Sequence, residues 1–506
     1  MIQMLRRELL AGITVSVVAL PLALAFGIQA AGGSQGAIIG LYGAIITGFF
    51  AALFGGTKGQ VTGPTGPITV IFTGIVASHG LEYAFLAAFL GGLIQIAFGL
   101  LKAGNYLKFI PLPVVSGFMN GIAIIIIVGQ LNHVTGSFFI VMITIVFMLF
   151  SMKVIKTIPA SLMALIAGTA AVFFLEKIMP SISFQLPFIK EFVLFGDVAK
   201  IGEIPKGLPE FHMPVMDLTA IASILPAALS IAVLGSIDSL LTSVVMDNIT
   251  GTKHKSNKEL IGQGIGNALA GLFGAMPGAG ATVRSVVNIR SGGSTMLSAM
   301  VHSVALLLFM MVLGSFASQI PLAVLAGILI ITGMTMFDYE SFRILKDEPR
   351  SDAALMLVTM VLTVAVDLMV AVGVGVVMSA FIFMKRMSEE GFRIGGGRED
   401  GLKVFELEGP LYFGCTDRLA AAINGAVSEK AIAVSLEKVD YIDASGAAVL
   451  LQLHGQLAQK DRKLFVFGAS GEVAGSLAKM KILERLGKSY FPGRSELQEY
   501  WKERIV

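Results

Sequence analysis

Long apolar blocks fill residues 9–384, broken by short polar turns, whereas residues 385–506 alternate like an ordinary soluble chain. Windows near the ~20-residue length of a membrane-crossing helix fall at about 9–30, 36–54, 82–101, 112–133, 137–155, 158–176, 218–246, 259–274, 294–315, 319–336, 353–369 and 370–384. The last two are the least separate, since 353–384 also reads as one bent helix. Two further apolar runs are too short to cross: Ile68–Ser78, opened by Gly63-Pro64-Thr65-Gly66-Pro67, and Val283–Ile289, opened by Pro277-Gly278-Ala279-Gly280-Ala281-Thr282. Counted as short helices at 64–79 and 280–291, they bring the total to about fourteen. Seven segments precede the polar stretch 180–215 and seven follow it. An odd number per half inverts one half relative to the other, so the short helices, third and tenth in order, occupy equivalent places. The pattern predicts a polytopic α-helical membrane protein, a 7+7 inverted repeat with two broken helices.

Composition agrees. Of 506 residues, 55% are hydrophobic and 14% charged, and mean hydropathy is +0.81. A soluble chain of this length has no core large enough to hide that much apolar surface. The net charge of +3 gives no broad basic face for nucleic acid, and the single cysteine, Cys415, excludes a disulfide framework and reads as a small buried residue. Arg6 and Arg7 before the run Leu9–Ala30 imitate a signal peptide, but the run is too long and lacks a clear cleavage site, so it reads as a retained first helix.

Charge in the turns orients the segments. Alternate turns carry Lys58, Lys102 and Lys108, Lys153 and Lys156, Lys253, Lys255 and Lys258, Arg290, then Arg343, Lys346 and Arg350. The chain leaves the apolar part at Lys385 and Arg386, while the opposite turns 31–35, 134–136 and 316–318 have no Lys or Arg. The positive-inside rule then places both termini in the cytoplasm of a cell-membrane protein.

Broken helices in matching positions of two halves mark a solute site at the bilayer midplane. Each break leaves unpaired N–H groups and a positive dipole end, and an anion satisfies both. Thr65 and Thr282 stand at comparable places, where hydroxyls can bind an anion without fixed charge; the alternative is that Gly and Pro merely permit close packing. Asp238 lies within the apolar segment Ala232–Val245. A carboxylate there is expensive unless paired or facing a wet cavity, which makes it a candidate for a coupling ion, Na⁺ or H⁺. Thr242 is one turn away on the same face. A helix-packing Asp is the bland alternative. Arg284 either faces the anion, pairs with Asp238 or points to the cytoplasm. His302 reads as a structural hydrogen-bonder, with a proton relay as the alternative. Asp367 reads as a helix cap, Ser256-Asn257-Lys258-Glu259 as a capping box, and Met310 with Met311 as apolar filler. Neither zinc spacing, a phosphate loop nor a Ser/His/Asp order stands out.

The expected domains are 1–386 in the membrane, a linker at 387–400 containing Gly395–Gly397, and a cytoplasmic α/β domain at 401–506. In the last, Leu402–Phe413, Ile432–Leu436 and Leu464–Phe467 read as strands, and Thr416–Val427, Ala444–Ala458 and Gly471–Met480 as helices. Asp443 is placed to cap the second helix.

Gly235–Asn267, Pro277–Gly293 and the tail together resemble the SulP anion-transporter family, also called solute carrier family 26, over nearly the whole chain. The tail resembles a STAS domain through Asp443, Ser445 and Gly446. In the anti-sigma-factor antagonists that share this element its serine is phosphorylated, so Ser445 is a candidate regulatory site, with a structural turn as the alternative. The resemblance implies core and gate domains, elevator-like movement and a homodimer. Within the family, Val18–Gly27, Pro64–Pro67, Asp238 with Thr242, and Gly280–Thr282 are similar to cyanobacterial Na⁺-dependent bicarbonate transporters. Carried over, Asp238, Thr242, Gly280 and Thr282 hold Na⁺, and Thr65, Ala281 and Thr282 hold the anion, with Gly66 and Arg284 beside them. Leu22 stands where sulfate-type members often have Gln, and Asp238 where many proton-coupled members have Glu. Arg284, however, matches the arginine common among chloride, sulfate and dicarboxylate carriers. The expectation is a non-enzymatic carrier without an organic cofactor, taking up bicarbonate or a similar small inorganic or carboxylate anion with Na⁺. A proton-coupled sulfate or dicarboxylate carrier, an uncoupled anion channel and a membrane-anchored regulatory protein are the alternatives. A cytoplasmic partner of the tail is not identified by its sequence.

Overall fold

A computed structural model of the chain describes residues 2–505 apart from 108–110, 155–158, 179–181, 187–188, 196–197, 204–206, 215–217, 345–349, 367, 400 and 427–429. Lys108, Lys156, Lys346 and Asp367 lie outside the described residues. Two compact units result, Met1–Val376 and Val377–Val506.

The helices of the apolar part are α1 (Ile2–Ala31), α2 (Gly33–Phe54), α3 (Gly66–His79), α4 (Leu81–Leu100), α5 (Leu112–Val128), α6 (Phe138–Val154) and α7 (Ala160–Ile178). After the stretch between the halves come α8 (Leu218–Thr250), α9 (Ser256–Leu272), α10 (Thr282–Arg290), α11 (Met296–Ala317), α12 (Leu322–Met336), α13 (Arg350–Ala365) and α14 (Leu368–Glu389). Short helical turns at Gly104–Leu107, Leu131–Gly136 and Tyr339–Ile344 connect them. Seven spans among the described residues are long and apolar enough to cross a bilayer. The region 353–384 is two helices, not one bent one.

Short strands interrupt the helices where the glycines and prolines predicted a break. These are β1 (Thr62–Gly63) before α3 and β4 (Ala279–Gly280) before α10; β2 (Ile182–Leu186) and β3 (Ile189–Phe195), not expected from the sequence, form a hairpin in the stretch between the halves. Helix α9 meets α4 backbone to backbone: a Cβ on Gly264 would stand 2.6 Å from the Gly92 carbonyl oxygen. Small residues allow that approach where lipid supplies no hydrophobic drive between helices.

In the second unit, β5 (Arg393–Glu399), β6 (Leu402–Glu408), β7 (Ala431–Lys438), β8 (Lys463–Phe467) and β9 (Tyr490–Phe491) form one sheet in that order. β5 runs antiparallel to β6, and the remaining pairs are parallel. The helices are α15 (Thr416–Gly425), α16 (Ala444–Ala458), α17 (Gly471–Lys479), α18 (Ile482–Leu486) and α19 (Arg494–Ile505). Strand periodicity sorts the two cores: Ile432, Val434, Leu464 and Val466 face one, and Ala431, Ala433, Phe465 and Phe467 the other. Asp443 caps α16 as expected, accepting from Gly446 N at 2.7 Å, and Cys415 is buried. The expected linker is corrected. Gly395–Gly397 belong to β5, where Gly396 pairs with Phe405. Three glycines have weak strand propensity, but the edge of β6 offers them a ladder of backbone bonds.

Arg494 ties three strands together, donating to Glu399 Oε1 at 2.6 Å, Glu406 Oε1 at 2.8 Å and Glu437 Oε2 at 2.9 Å. The Arg494 hydrogen bond holds the Glu406 carboxyl below its ordinary value of 4.5. A carboxylate whose folded value lies below its unfolded one stabilises fully above about pH 4.5, and that stability is lost as pH falls through the folded value. Acid titration of the full chain, followed by fluorescence of its one tryptophan, Trp501, should show this unit loosening below pH 4.5. Arg494→Gln should flatten the dependence, and an unchanged profile would show the clamp to be without effect.

Candidate functional site

The two breaks meet. β1 and β4 pair antiparallel, Thr62 opposite Gly280 and Gly63 opposite Ala279, and Ala281 N donates to Val61 O at 2.8 Å. The local sequence explains the extended backbone. Pro64 and Pro67 remove donors and fix φ, and a Cβ on Gly278 would collide with the Gly63 backbone at 2.5 Å. Helices α3 and α10 therefore start on opposite sides of one two-stranded crossing. Both starts are uncapped: Thr65 and Ala281, at the N-cap positions, are extended and neither side chain bonds its own helix. The free N–H groups and positive dipole ends point out of the crossing.

Helix α8 brings its polar face to β4. Thr242 Oγ1 donates to Gly280 O at 2.9 Å and lies 2.7 Å from Thr282 Oγ1. Gly280 N donates to Ser239 Oγ at 3.0 Å. Asp238 lies one turn earlier on this face; its carboxylate interacts with Thr65 and feels the charge of Arg284. Yet Asp238 Oδ2, Thr65 Oγ1 and Arg284 Nη1 are buried without a hydrogen-bond partner of proper geometry. Buried polar atoms are nearly always paired, so three open ones around one crossing are the mark of a place meant for a ligand. Asp238, Thr242, Gly280 and Thr282 thus come together, as do Thr65, Gly66, Ala281 and Arg284 around the helix starts.

Arg284 is 2% exposed. Its Nη2 donates to Pro64 O, and Nη1 lies against Gly63. Of the three orientations open in the sequence, the cytoplasmic one is excluded. His302 is corrected. Both ring nitrogens are buried without a hydrogen-bond partner among the described residues, so no structural hydrogen bond holds it there; its Cδ2 lies near Gly48 of α2. Ser445 is exposed in the first turn of α16.

The capping box is also corrected. The N-cap of α9 is Lys255, without a side-chain bond. Glu259 instead turns inward and is 2% exposed. Its Oε2 accepts from Gly56 N at 2.8 Å and Thr57 N at 2.9 Å; its Oε1 accepts from Gln60 Nε2 at 2.9 Å and Gln263 Nε2 at 2.8 Å. The loop's N–H groups point inward and need an acceptor there, which outweighs a cap on an end that water can serve. Gln263 Nε2 also reaches Thr62 Oγ1 at 2.7 Å, and Asn267 Oδ1 accepts from Gly278 N at 2.8 Å. One face of α9 therefore holds both breaks. Sequence reasoning missed these residues, although Glu259, Gln263 and Asn267 recur every four positions, a polar stripe on an otherwise apolar helix.

Two broken helices that meet among membrane-length spans form an intramembrane binding place of the kind carriers use. The sequence matches the sulfate permease family over residues 5–138 and 134–359 and the STAS domain over 398–497. The chain belongs to the sulfate permease family. It is 34% identical to Bacillus subtilis YvdB, provisionally named a sulfate transporter, over 97% of this chain and 96% of that one. It is 39% identical to the solved transmembrane domain of a cyanobacterium bicarbonate transporter, BicA, covering 74% of this chain and 98% of that one with a TM-score of 0.66. The murine solute carrier 26 family member A9 anion transporter, in its inward-facing state, shares the fold at 17% identity and a TM-score of 0.82, covering 98% and 91%.

Arg284→Leu should leave the Asp238 carboxylate without a counter-charge and lower stability by about 2 kcal/mol or more. Thermal unfolding of the purified protein in detergent measures this. Asp238→Asn added to Arg284→Leu should recover part of the loss; additive losses would show that the two charges do not support each other.

Proposed function

We propose that this anion transporter takes up bicarbonate or a similar small monovalent anion together with Na⁺. The observation that carries the reading is the set of unpaired buried atoms, Thr65 Oγ1, Asp238 Oδ2 and Arg284 Nη1, at two uncapped helix starts. The anion sits between those starts, on the Thr65 and Thr282 hydroxyls and the N–H groups around Gly66 and Ala281. Na⁺ sits beside it on oxygen alone: the Asp238 carboxylate, Thr242 Oγ1, Gly280 O and Thr282 Oγ1. Freed carbonyls at broken helices suit such an ion. Na⁺ at Asp238 removes that carboxylate's repulsion of the anion, so each ion favours the other's binding. The bicarbonate name of the 39% identical structure supports the choice of anion. The crossing moves as one body against the remaining helices in an elevator-like step, within a homodimer whose termini are cytoplasmic.

A second reading has its own support. A buried arginine with one open nitrogen at the break suits a divalent anion, and YvdB carries a sulfate name. That reading couples sulfate or a dicarboxylate to protons at Asp238.

Uptake of labelled bicarbonate into proteoliposomes, with and without Na⁺, separates the two. The first reading expects Na⁺ to stimulate uptake and Asp238→Asn to remove the stimulation at least about tenfold. Unchanged Na⁺ dependence in that variant refutes the ion site. Sulfate uptake driven by a pH gradient without Na⁺ selects the second reading.

A further inference from the structure

Between the proposed ion site and the start of α3 runs a hydrogen-bonded strut that neither needs for its own contacts. It begins at Ser243, buried one residue beyond Thr242 on α8. Ser243 Oγ lies 2.9 Å from Gln60 Oε1, 2.9 Å from Ser239 O and 2.8 Å from Thr57 Oγ1. A hydroxyl has one proton, so Ser243 donates to only one of Gln60 Oε1, Ser239 O and Thr57 Oγ1 at a time, and Thr57 can donate to Ser243 in turn. Gln60 in turn donates to Glu259 Oε1, which also accepts from Gln263. The same Gln60 Nε2 packs so closely on β4 that a side chain at Gly280 would collide with it. Gln60 therefore touches the strand whose carbonyl belongs to the ion site and sits on the loop that leads to Thr65. Thr242 repeats the choice, its proton going to Gly280 O or to Thr282 Oγ1.

We propose that Gln60, held by Ser243 and Glu259, is a positioning residue that transmits occupancy of the α8–β4 ion site to the anion-binding start of α3. This rests on the Na⁺ site proposed above. An ion on Gly280 O and Thr242 Oγ1 takes up the oxygens that Thr242 now joins. The shift of β4 reaches Gln60 by direct contact, and as Gln60 Oε1 moves away the Ser243 proton that it accepts passes to Ser239 O or Thr57 Oγ1. The charged Glu259, fixed by four donors, is the anchor against which Gln60 moves; hydrogen bonds to an ionised acceptor are the strong ones. Coupling of this kind needs a discrete two-state element biased by both ligands, and the Ser243 hydroxyl supplies one.

The test uses the full-length chain in proteoliposomes and reads the KM for bicarbonate at zero and saturating Na⁺. In the unaltered protein Na⁺ should lower KM by roughly tenfold or more. Ser243→Ala and Gln60→Met should each shrink that factor to about twofold or less while leaving the KM without Na⁺ within about threefold. The double variant should be no worse than either single one, since both cut one strut. Elution as a single species on size exclusion checks folding, and the two positions offer independent routes should one variant fail it. Variants that keep the full Na⁺ factor, or that raise KM equally with and without Na⁺, overturn the strut and leave the proposed function standing. Absence of any Na⁺ effect in the unaltered protein overturns both.

Discussion

Two short strands, paired across the middle of the first unit, set the terms for the rest of it. Had Thr62–Gly63 and Ala279–Gly280 continued as helix, the N–H groups of α3 and α10 would close onto preceding carbonyls and nothing would be left to bind. Strand pairing together with side chains of α8 and α9 (Ser239, Thr242 and Asn267) satisfies this backbone at membrane depth, which irregular backbone there requires. The unsatisfied groups lie downstream of the strands, at the helix starts Gly66 and Thr282. Gly278 tolerates no side chain because the crossing depends on backbones in contact. The same pairing fixes the distance between the two starts, so the geometry of one break is also the geometry of the other.

Three buried charges near the crossing behave differently, and the contrast separates architecture from site. Glu259 is saturated by four donors and has nothing left to offer a ligand. Asp238 and Arg284 each keep an open polar atom. An intramembrane charge that satisfies its surroundings is part of the frame; one that stays open is held in readiness. His302 belongs with the open group by this criterion, with both ring nitrogens unpartnered among the described residues.

The spans, the breaks and the tail's αβ alternation were legible because each is written locally: apolar runs of bilayer length, Gly and Pro where a helix fails, and the short, fully buried run Ile432–Leu436. Thr242 beside Asp238 was legible from helical spacing alone. The role of Glu259 was not, because Ser-Asn-Lys-Glu carries a valid local meaning as a cap, and only the inward-pointing N–H groups of Gly56 and Thr57, 203 and 202 residues away, override it. The strand Arg393–Glu399 was hidden for a related reason. Its three glycines have little preference of their own, and the partner edge supplies the order. His302 misled in the opposite sense: a buried histidine suggests a partner, and no local pattern tells that none is provided.

Charge within the crossing bears on the choice between the two proposed readings. Arg284 is buried and Asp238 half-buried, and they are of opposite sign, so the pair sums to zero and gives an approaching anion no net attraction. One Na⁺ on the Asp238 side makes the pocket positive by one, which a monovalent anion neutralises. A divalent anion would leave a net negative charge in a water-poor interior, at a cost that grows steeply as dielectric falls. A single proton on Asp238 frees Arg284 to the same net charge of one, so changing the cation alone does not admit sulfate; a second cation or a further donor would be needed. Arg284 donates through Nη2 to Pro64 O, and its unpartnered Nη1 is left to meet the anion. One cation and one monovalent anion is therefore the pairing that leaves the crossing neutral, and a neutral interior is the one a water-poor site opposes least.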